Sequence, residues 1–265
     1  LANLTSAQAI YLHLCKLMKQ SVVTDDDQIV YDAFTKQDIK HACQAIRHVQ
    51  SGDIEFQHLT LRFGHSGEQS VYHFDLSETM ILCLDLYSIY LAIRQTQFQM
   101  ETFHPDLISN VVVPIRMSAL LWANGNRYLN RVIEHHGKAF KHIIPSIQFD
   151  EPSCSTQESS ELVEKLREHA FSLWFEVSTA DLDLDMVHSF KPDMIKLVVN
   201  LEDKEHREAF LPVARFLRKY RYKWIASRVA NQSELNRYRL LGASYYFGYF
   251  SDLPTSISFK APTLE

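Results

Sequence analysis

The chain has 265 residues, 46% of them hydrophobic and 12% aromatic, enough for a substantial core in one large domain or two small ones. That composition excludes global disorder, and seven Gly with eight Pro exclude a low-complexity or fibrous protein. A net charge of −5 supplies no global basic field for nucleic acid. Cys15, Cys43, Cys83 and Cys154 are far apart and form no CxxC, which reads as reduced thiols in a cytoplasmic protein. No apolar run reaches the roughly 18–20 residues that span a bilayer, and these residues read without a signal-peptide pattern. The start at Leu1 reads as a fragment, so membrane segments in a longer parent protein stay open.

Residues 5–20 have helical spacing, with Ile10, Leu14 and Leu17 on one stripe and Thr5 or Ser6 as the cap. An acidic turn at 24–27 and a short run at 28–30 follow. Residues 36–50, KQDIKHACQAIRHVQ, read as a second amphipathic helix that stops near Ser51 and Gly52. IEFQHLTLRF (54–63) and SVYHFDL (70–76) flank a turn at 64–67 and read as a hairpin; a long helix over 78–97 comes next.

From there the pattern is regular. Strands are predicted at 110–116, 143–149, 172–177, 194–199, 223–229 and 245–250. Helices are predicted at 117–136, 157–169, 182–190, 203–220 and 233–241. Short apolar strands alternating with helices signal a mostly parallel sheet. The series fits a closed (β/α) barrel better than a three-layer sandwich, with either open. No GxGxxG or GxxxxGK[ST] stands at a strand-to-helix junction, so dinucleotide-fold and P-loop readings lack support.

In a parallel barrel the reactive residues project from the C-terminal strand ends. A divalent-metal hydrolase would place several Asp, Glu and Asn oxygens there. This chain offers Pro114, Gln148, Phe175, Glu176, Lys196, Ser227 and Phe247, of which only Glu176 is a carboxylate. Lys196 reads as a functional cation or as a lysine snorkelling to the rim. Thirteen His are present without an HExxH or similar spacing; Glu134-His135-His136, His73, His104 and His188 read as surface or capping residues. The segment 214–223 interleaves Arg215, Arg218, Lys219, Arg221 and Lys223 with Phe216, Tyr220 and Tyr222. RNA or an acidic protein partner would want that pattern, but an outer helix with a solvated face is the simpler reading. In the polar loop at 153–160, Ser159 or Ser160 reads as a helix cap.

KPDMIKL (191–197), KWIASRVANQSEL (223–235) and LLGASYYFGYFSDLP (240–254) resemble the C-terminal half of an EAL domain, the cyclic-di-GMP phosphodiesterase family. The family pattern there is P-x-D-x-I-K-I-D, then I-A-E-G-V-E-T, then L-G-x-x-x-x-Q-G-Y-x-F-x-x-P. Upstream, LREHAFSLWFEVSTA (166–180) resembles the D-D-F-G-T-G stretch, VVVPIRMSALL (111–121) the V-N-L-S strand and IPSIQFDE (144–151) the L-E-I-T-E strand. FQHL (56–59) resembles Y-Q-P-I, and YHFDL (72–76) stands where E-A-L is expected. The resemblance covers Lys36 to Pro254. It implies an α/β fold, a (β/α) barrel of the EAL type (a modified TIM barrel), with an N-terminal helical extension. Residues 1–35 then form a linker or the remnant of an upstream GGDEF-like domain, and residues 36–265 the EAL domain.

The departures shape the functional expectation. By the resemblance, the naming glutamate becomes His73, the Asn ligand Pro114 and the first Glu of E-I-T-E Gln148. The two Asp become Phe175 and Glu176. The lysine is kept as Lys196. The two Glu of E-G-V-E become Ser227 and Ala230, and the Gln of Q-G-Y becomes Phe247. The segment that helps hold the dinucleotide is missing between Leu76 and Glu78. These losses imply a degenerate, non-catalytic EAL domain of bacterial signalling without metal or cofactor, one not expected to bind cyclic di-GMP.

Its implied role is protein–protein interaction and regulation. Inactive relatives include a flagellar-gene antagonist that binds a transcription activator. Another is a tandem GGDEF–EAL regulator that binds a sugar-phosphotransferase component and promotes RNase E-dependent decay of small RNAs of the carbon-storage system. The second is the closer analogue. The partners implied are a phosphotransferase component or a transcription regulator, with RNA and a homodimer open. A cyclic-di-GMP receptor without hydrolysis and an RNA-binding regulator are the alternatives.

Overall fold

The structure, a computed structural model, describes residues 6–64, 69–150, 157–178, 183–198 and 204–257. Thr5, Cys154 and most of the turn at 64–67 lie outside the described residues, as do parts of the D-D-F-G-T-G-like stretch and of the 153–160 loop. In chain order the elements are α1 (Ser6–Gln20), α2 (Asp25–Thr35), β1 (Ile39–His48), β2 (Ile54–Phe63) and β3 (Gln69–Ser70). A 3-10 turn at Val71–His73 leads to α3 (Glu78–Thr102), β4 (Val111–Arg116), α4 (Met117–Leu121), α5 (Ala123–Phe140) and β5 (Ile143–Gln148). The regular half is α6 (Gln157–His169), β6 (Trp174–Val177), α7 (Leu184–Ser189), β7 (Met194–Leu197), α8 (Lys204–Tyr220), β8 (Trp224–Ala226), α9 (Gln232–Leu240), β9 (Tyr245–Tyr246) and β10 (Thr255–Ile257).

The sheet runs β10-β1-β9-β8-β7-β6-β5-β4-β2-β3, and an added β1–β2 pairing closes it into a barrel of eight strands. β2 and β4 to β9 are parallel, while β1 runs antiparallel to both its barrel neighbours, β2 and β9. This is the expected (β/α) barrel, and α1 and α2 form the N-terminal helical extension. Inside it, Ile46, Val112, Ile144, Trp174, Met194 and Ile225 pack into a plug at the N-terminal end of the parallel strands. The larger core lies between strands and helices. Alternation along each strand produces the two layers, since successive side chains point to opposite faces.

The helix expected over 36–50 is strand β1. Ile39, Cys43 and Ile46 satisfy a helical spacing, but nine cross-strand pairs with β2, interrupted by one register shift after Ile46, and further pairs with β9 and β10 give this segment a better set of backbone partners. The acidic turn at 24–27 is the start of α2. Thr24 caps it and accepts from the Asp27 N–H, while Asp27 reaches back to the Thr24 N–H, a capping box. Buried Asp27 also accepts from the Ser77 N–H at 2.9 Å, tying α2 to the start of α3. The helix expected over 117–136 is two helices, broken at extended Trp122 (ψ 134). α5 then turns back so closely that a Cβ on Gly125 would sit 1.7 Å from the Ala119 carbonyl oxygen. β10, which extends the sheet beside β1, had no signal in the sequence.

Candidate functional site

The C-terminal strand ends open into a cavity of about 570 Å³, within the ~300–1,000 Å³ range usual for ligand sites. Its polar lining has a simple origin in β2. Leu59 and Leu61 join the larger core between strands and helices, so by alternation His58, Thr60 and Arg62 turn to the cavity.

At the floor, Lys196 Nζ lies 2.6 Å from Glu176 Oε2 and 3.2 Å from His58 Nε2. Gln148 Nε2 donates to the same Glu176 oxygen at 3.2 Å. The His58 ring stacks on Phe247 with centroids 4.4 Å apart. Burial first, and the Lys196 charge second, push the His58 pKa well below the ordinary histidine value. His58 is therefore neutral and accepts from the ammonium. Lys196 is 3% exposed, so it does not snorkel.

One wall comes from α3. Asp85, 1% exposed, accepts the Arg116 backbone N–H and its guanidinium, both at 2.9 Å. Beside it, Ser88 bonds His41 Nε2 at 2.9 Å, and burial lowers the His41 pKa to about 3. Sequence reasoning missed Asp85, although it is the one charge between Glu78 and Arg94 in an otherwise apolar helix. It missed Arg62 and His58 because β2 read as a plain hairpin arm.

The rim carries Arg62, His73, Arg228 and Tyr249. Arg47 anchors the closing loop through a bidentate pair with Asp252, at 2.7 and 2.8 Å. Its hydrogen bond to Arg47 holds the Asp252 carboxyl below the usual carboxylate range despite partial burial. Gly248 lets that loop lie on the turn after β8, since a Cβ there would meet the Val229 oxygen at 2.2 Å.

The sequence-derived positions divide on this frame. His73, Pro114, Gln148, Glu176, Lys196, Ser227 and Phe247 all line the cavity. Phe175 faces the other way and stacks on Phe149 and Phe190 in the outer core. Ala230 is exposed outside the cavity, its N–H bonded to Glu234. Arg215, Arg218, Lys219, Arg221 and Lys223 are exposed on and just after α8, away from the mouth. The aromatics between them turn inward: Phe216 is buried, and the half-buried Tyr220 stacks on His188 at 3.5 Å.

A divalent cation fits this donor set poorly. Glu176 is committed to Lys196, Asp85 to Arg116, and the Ser227 hydroxyl to the Leu197 carbonyl. Among the described residues, no group of three or more His, Cys, Asp or Glu stands where it could share an ion. No helix there is long and apolar enough to cross a membrane.

Residues 27–254 match the EAL domain. No curated protein matches by sequence. Among solved structures, the PaMucR phosphodiesterase in complex with c-di-GMP superposes with a TM-score of 0.69 at 16% identity, covering 88% of this chain and 98% of that one. The FimX EAL domain from Pseudomonas aeruginosa bound to c-di-GMP gives 0.65 at 14% identity, over 88% and 97%. The Vibrio cholerae LapD S helix-GGDEF-EAL protein bound to c-di-GMP gives 0.67 at 14%, over 87% and 58%. At these identities the likeness carries the fold alone.

Each of these three was solved with c-di-GMP, which contradicts the expectation that cyclic di-GMP is not a ligand to look for here. That expectation rested on groups lost from the sequence and overlooked the guanidinium groups of Arg62 and Arg228, which the fold brings to the mouth. A barrel with one reversed strand, a polar mouth at its C-terminal end and a family match over residues 27–254 together establish that the chain belongs to the EAL domain family.

Proposed function

We propose that this chain is a degenerate EAL domain that binds cyclic di-GMP in the barrel mouth without hydrolysing it. The observation that carries this reading is the 2.6 Å contact between Lys196 and Glu176. It commits the one carboxylate predicted at the strand ends to an internal cation. Hydrolysis in this fold would require a hard cation to activate water, and that cation needs several free oxygen ligands. Asp85, the other cavity carboxylate, is tied to Arg116. The positions read as Pro114, Gln148, Ser227 and Phe247 supply no anionic donor.

What remains in the mouth favours anions. Arg62, Arg116, Lys196 and Arg228 face only Asp85 and Glu176 among the described lining residues. A bis-phosphodiester suits that charge balance, and the cavity volume suits a ligand of dinucleotide size.

The output of such a receptor is a protein contact, as in a regulatory interaction module. The exposed cations of α8 are its candidate surface, with an acidic protein or RNA as the complementary chemistry. A phosphotransferase component as partner, and RNase E-dependent small-RNA turnover as outcome, rest on the family resemblance. So does the reading of residues 1–35 as a linker or GGDEF remnant.

Incubation with cyclic di-GMP and Mg²⁺ or Mn²⁺ tests the catalytic half. The expected result is recovery of intact ligand. Linear dinucleotide forming in proportion to protein concentration would overturn it.

A further inference from the structure

The backbone at Arg228 is held at φ +58°, in the left-handed region that favours glycine. Its neighbours enforce that turn. The Ser227 N–H bonds the Leu197 carbonyl, and the Val229 N–H bonds the Phe247 carbonyl, each at 3.1 Å. In the family pattern I-A-E-G-V-E the corresponding position is glycine, the residue such a backbone calls for. This chain keeps the turn and places an arginine there, on the wall of the mouth.

Two cations of the mouth are already neutralised. Lys196 is paired with Glu176, and Arg116 with Asp85. Arg228 and Arg62 have no ion pair or side-chain hydrogen bond among the described residues, though both line the cavity. They enter it from separate parts of the barrel, Arg62 from the end of β2 and Arg228 from the turn after β8, with β1 and β9 between those strands. A strained backbone carrying an unpaired guanidinium over a cavity is a costly arrangement to keep for structure alone.

We propose that Arg228, with Arg62, is an anion clamp that neutralises the ligand's phosphates in place of a divalent cation. The ligand class is a dinucleotide with two phosphate charges, gripped by bidentate guanidinium–phosphate hydrogen bonds. The clamp rests on the receptor reading above and assigns the source of its affinity. It makes binding independent of metal and sensitive to salt.

The test is calorimetry in EDTA on the wild-type chain, Arg228→Gly, Arg228→Ala and Arg62→Ala, with cyclic di-GMP and linear diguanylate as separate probes. Arg228→Gly suits the backbone, so its melting temperature is expected to stay level or rise while the dissociation constant rises tenfold or more. Arg228→Ala should lose the same affinity, which assigns the loss to the guanidinium. Arg62→Ala should weaken binding in the same sense. If wild type binds cyclic di-GMP and the Arg228 variants bind it equally well, the clamp is wrong and the receptor reading stands. If wild type binds only the linear probe, and through Arg228, the clamp stands and the cyclic ligand is wrong. If wild type binds neither probe, the clamp is overturned.

Discussion

Lys196 and Glu176 are direct cross-strand partners on β7 and β6, and their side chains meet at 2.6 Å with 4% and 13% of their surface exposed. Two neighbouring strands thus place a cation and an anion at the same height in the barrel, where each satisfies the other. Removing one partner leaves a buried charge unpaired. Glu176→Ala is therefore expected to cost about 3–5 kcal/mol of stability by denaturant titration. The double change Glu176→Leu with Lys196→Met should cost less than Glu176→Ala alone. A loss below about 1 kcal/mol for the single change would mean that water already reaches the pair.

Acid should destabilise the fold earlier than carboxylates alone would allow. His58 and His41 are neutral in the folded chain, with pKa values driven down by burial, that of His41 to about 3. In the unfolded chain both titrate near 6.5. The unfolded state binds the extra protons as pH falls below that value, so stability falls with it. Each histidine contributes at most about 1.4 kcal/mol per pH unit, a slope approached only below the unfolded pKa, so the pair costs about 3 kcal/mol between pH 6.5 and 5.0. His13, His136 and His142, also lowered chiefly by burial, act in the same direction. The lowered carboxyls of Asp27 and Asp252 add a further loss only below about pH 4. Chemical denaturation at stepped pH checks this, and His41→Gln should visibly flatten the slope. A stability flat from pH 7 to 5 would contradict the buried neutral histidines.

The Gly248 turn predicts a large penalty for one methyl group. A Cβ there would lie 2.2 Å from the Val229 carbonyl oxygen and 2.3 Å from its nitrogen. Both belong to backbone held by hydrogen bonds, so neither can retreat cheaply. Gly248→Ala should cost about 2–4 kcal/mol, seen as a lower melting temperature. An unchanged melting point would mean that the loop over the turn after β8 can lift.

Asp252 should act as the latch of that same loop. Its paired bonds to Arg47 are short and partly shielded. Asp252→Ala should cost about 1–2 kcal/mol and free the exposed Tyr249 and Phe250. Limited chymotrypsin digestion should then cut at those residues faster than in wild type, and equal rates would argue against the latch.

The regular half of the barrel was legible because each apolar strand is followed by a helix with its own period. Most predicted elements from 143 onward coincide with β5 to α9 within a few residues. The first strand was not legible. β1 is rich in Lys, His, Gln and Arg, and its stability comes from pairing with β2, β9 and β10 rather than from its own propensity. The mouth was legible where positions fell on strand ends, as at Gln148, Glu176 and Lys196. Phe175 shows the limit of that reading, because a shift of one residue along a strand moves the side chain to the outer core. Asp85, Arg116, Arg62 and Arg228 escaped because they meet from four separate elements, which no spacing in the sequence announces.

The proposed receptor holds its dinucleotide without a metal. Calorimetry of cyclic di-GMP against the purified chain in EDTA, repeated with Mg²⁺, tests it most directly. Saturable heat is expected in EDTA, and Mg²⁺ should leave it unchanged. No heat at high-micromolar ligand, or heat only when Mg²⁺ is present, would contradict it.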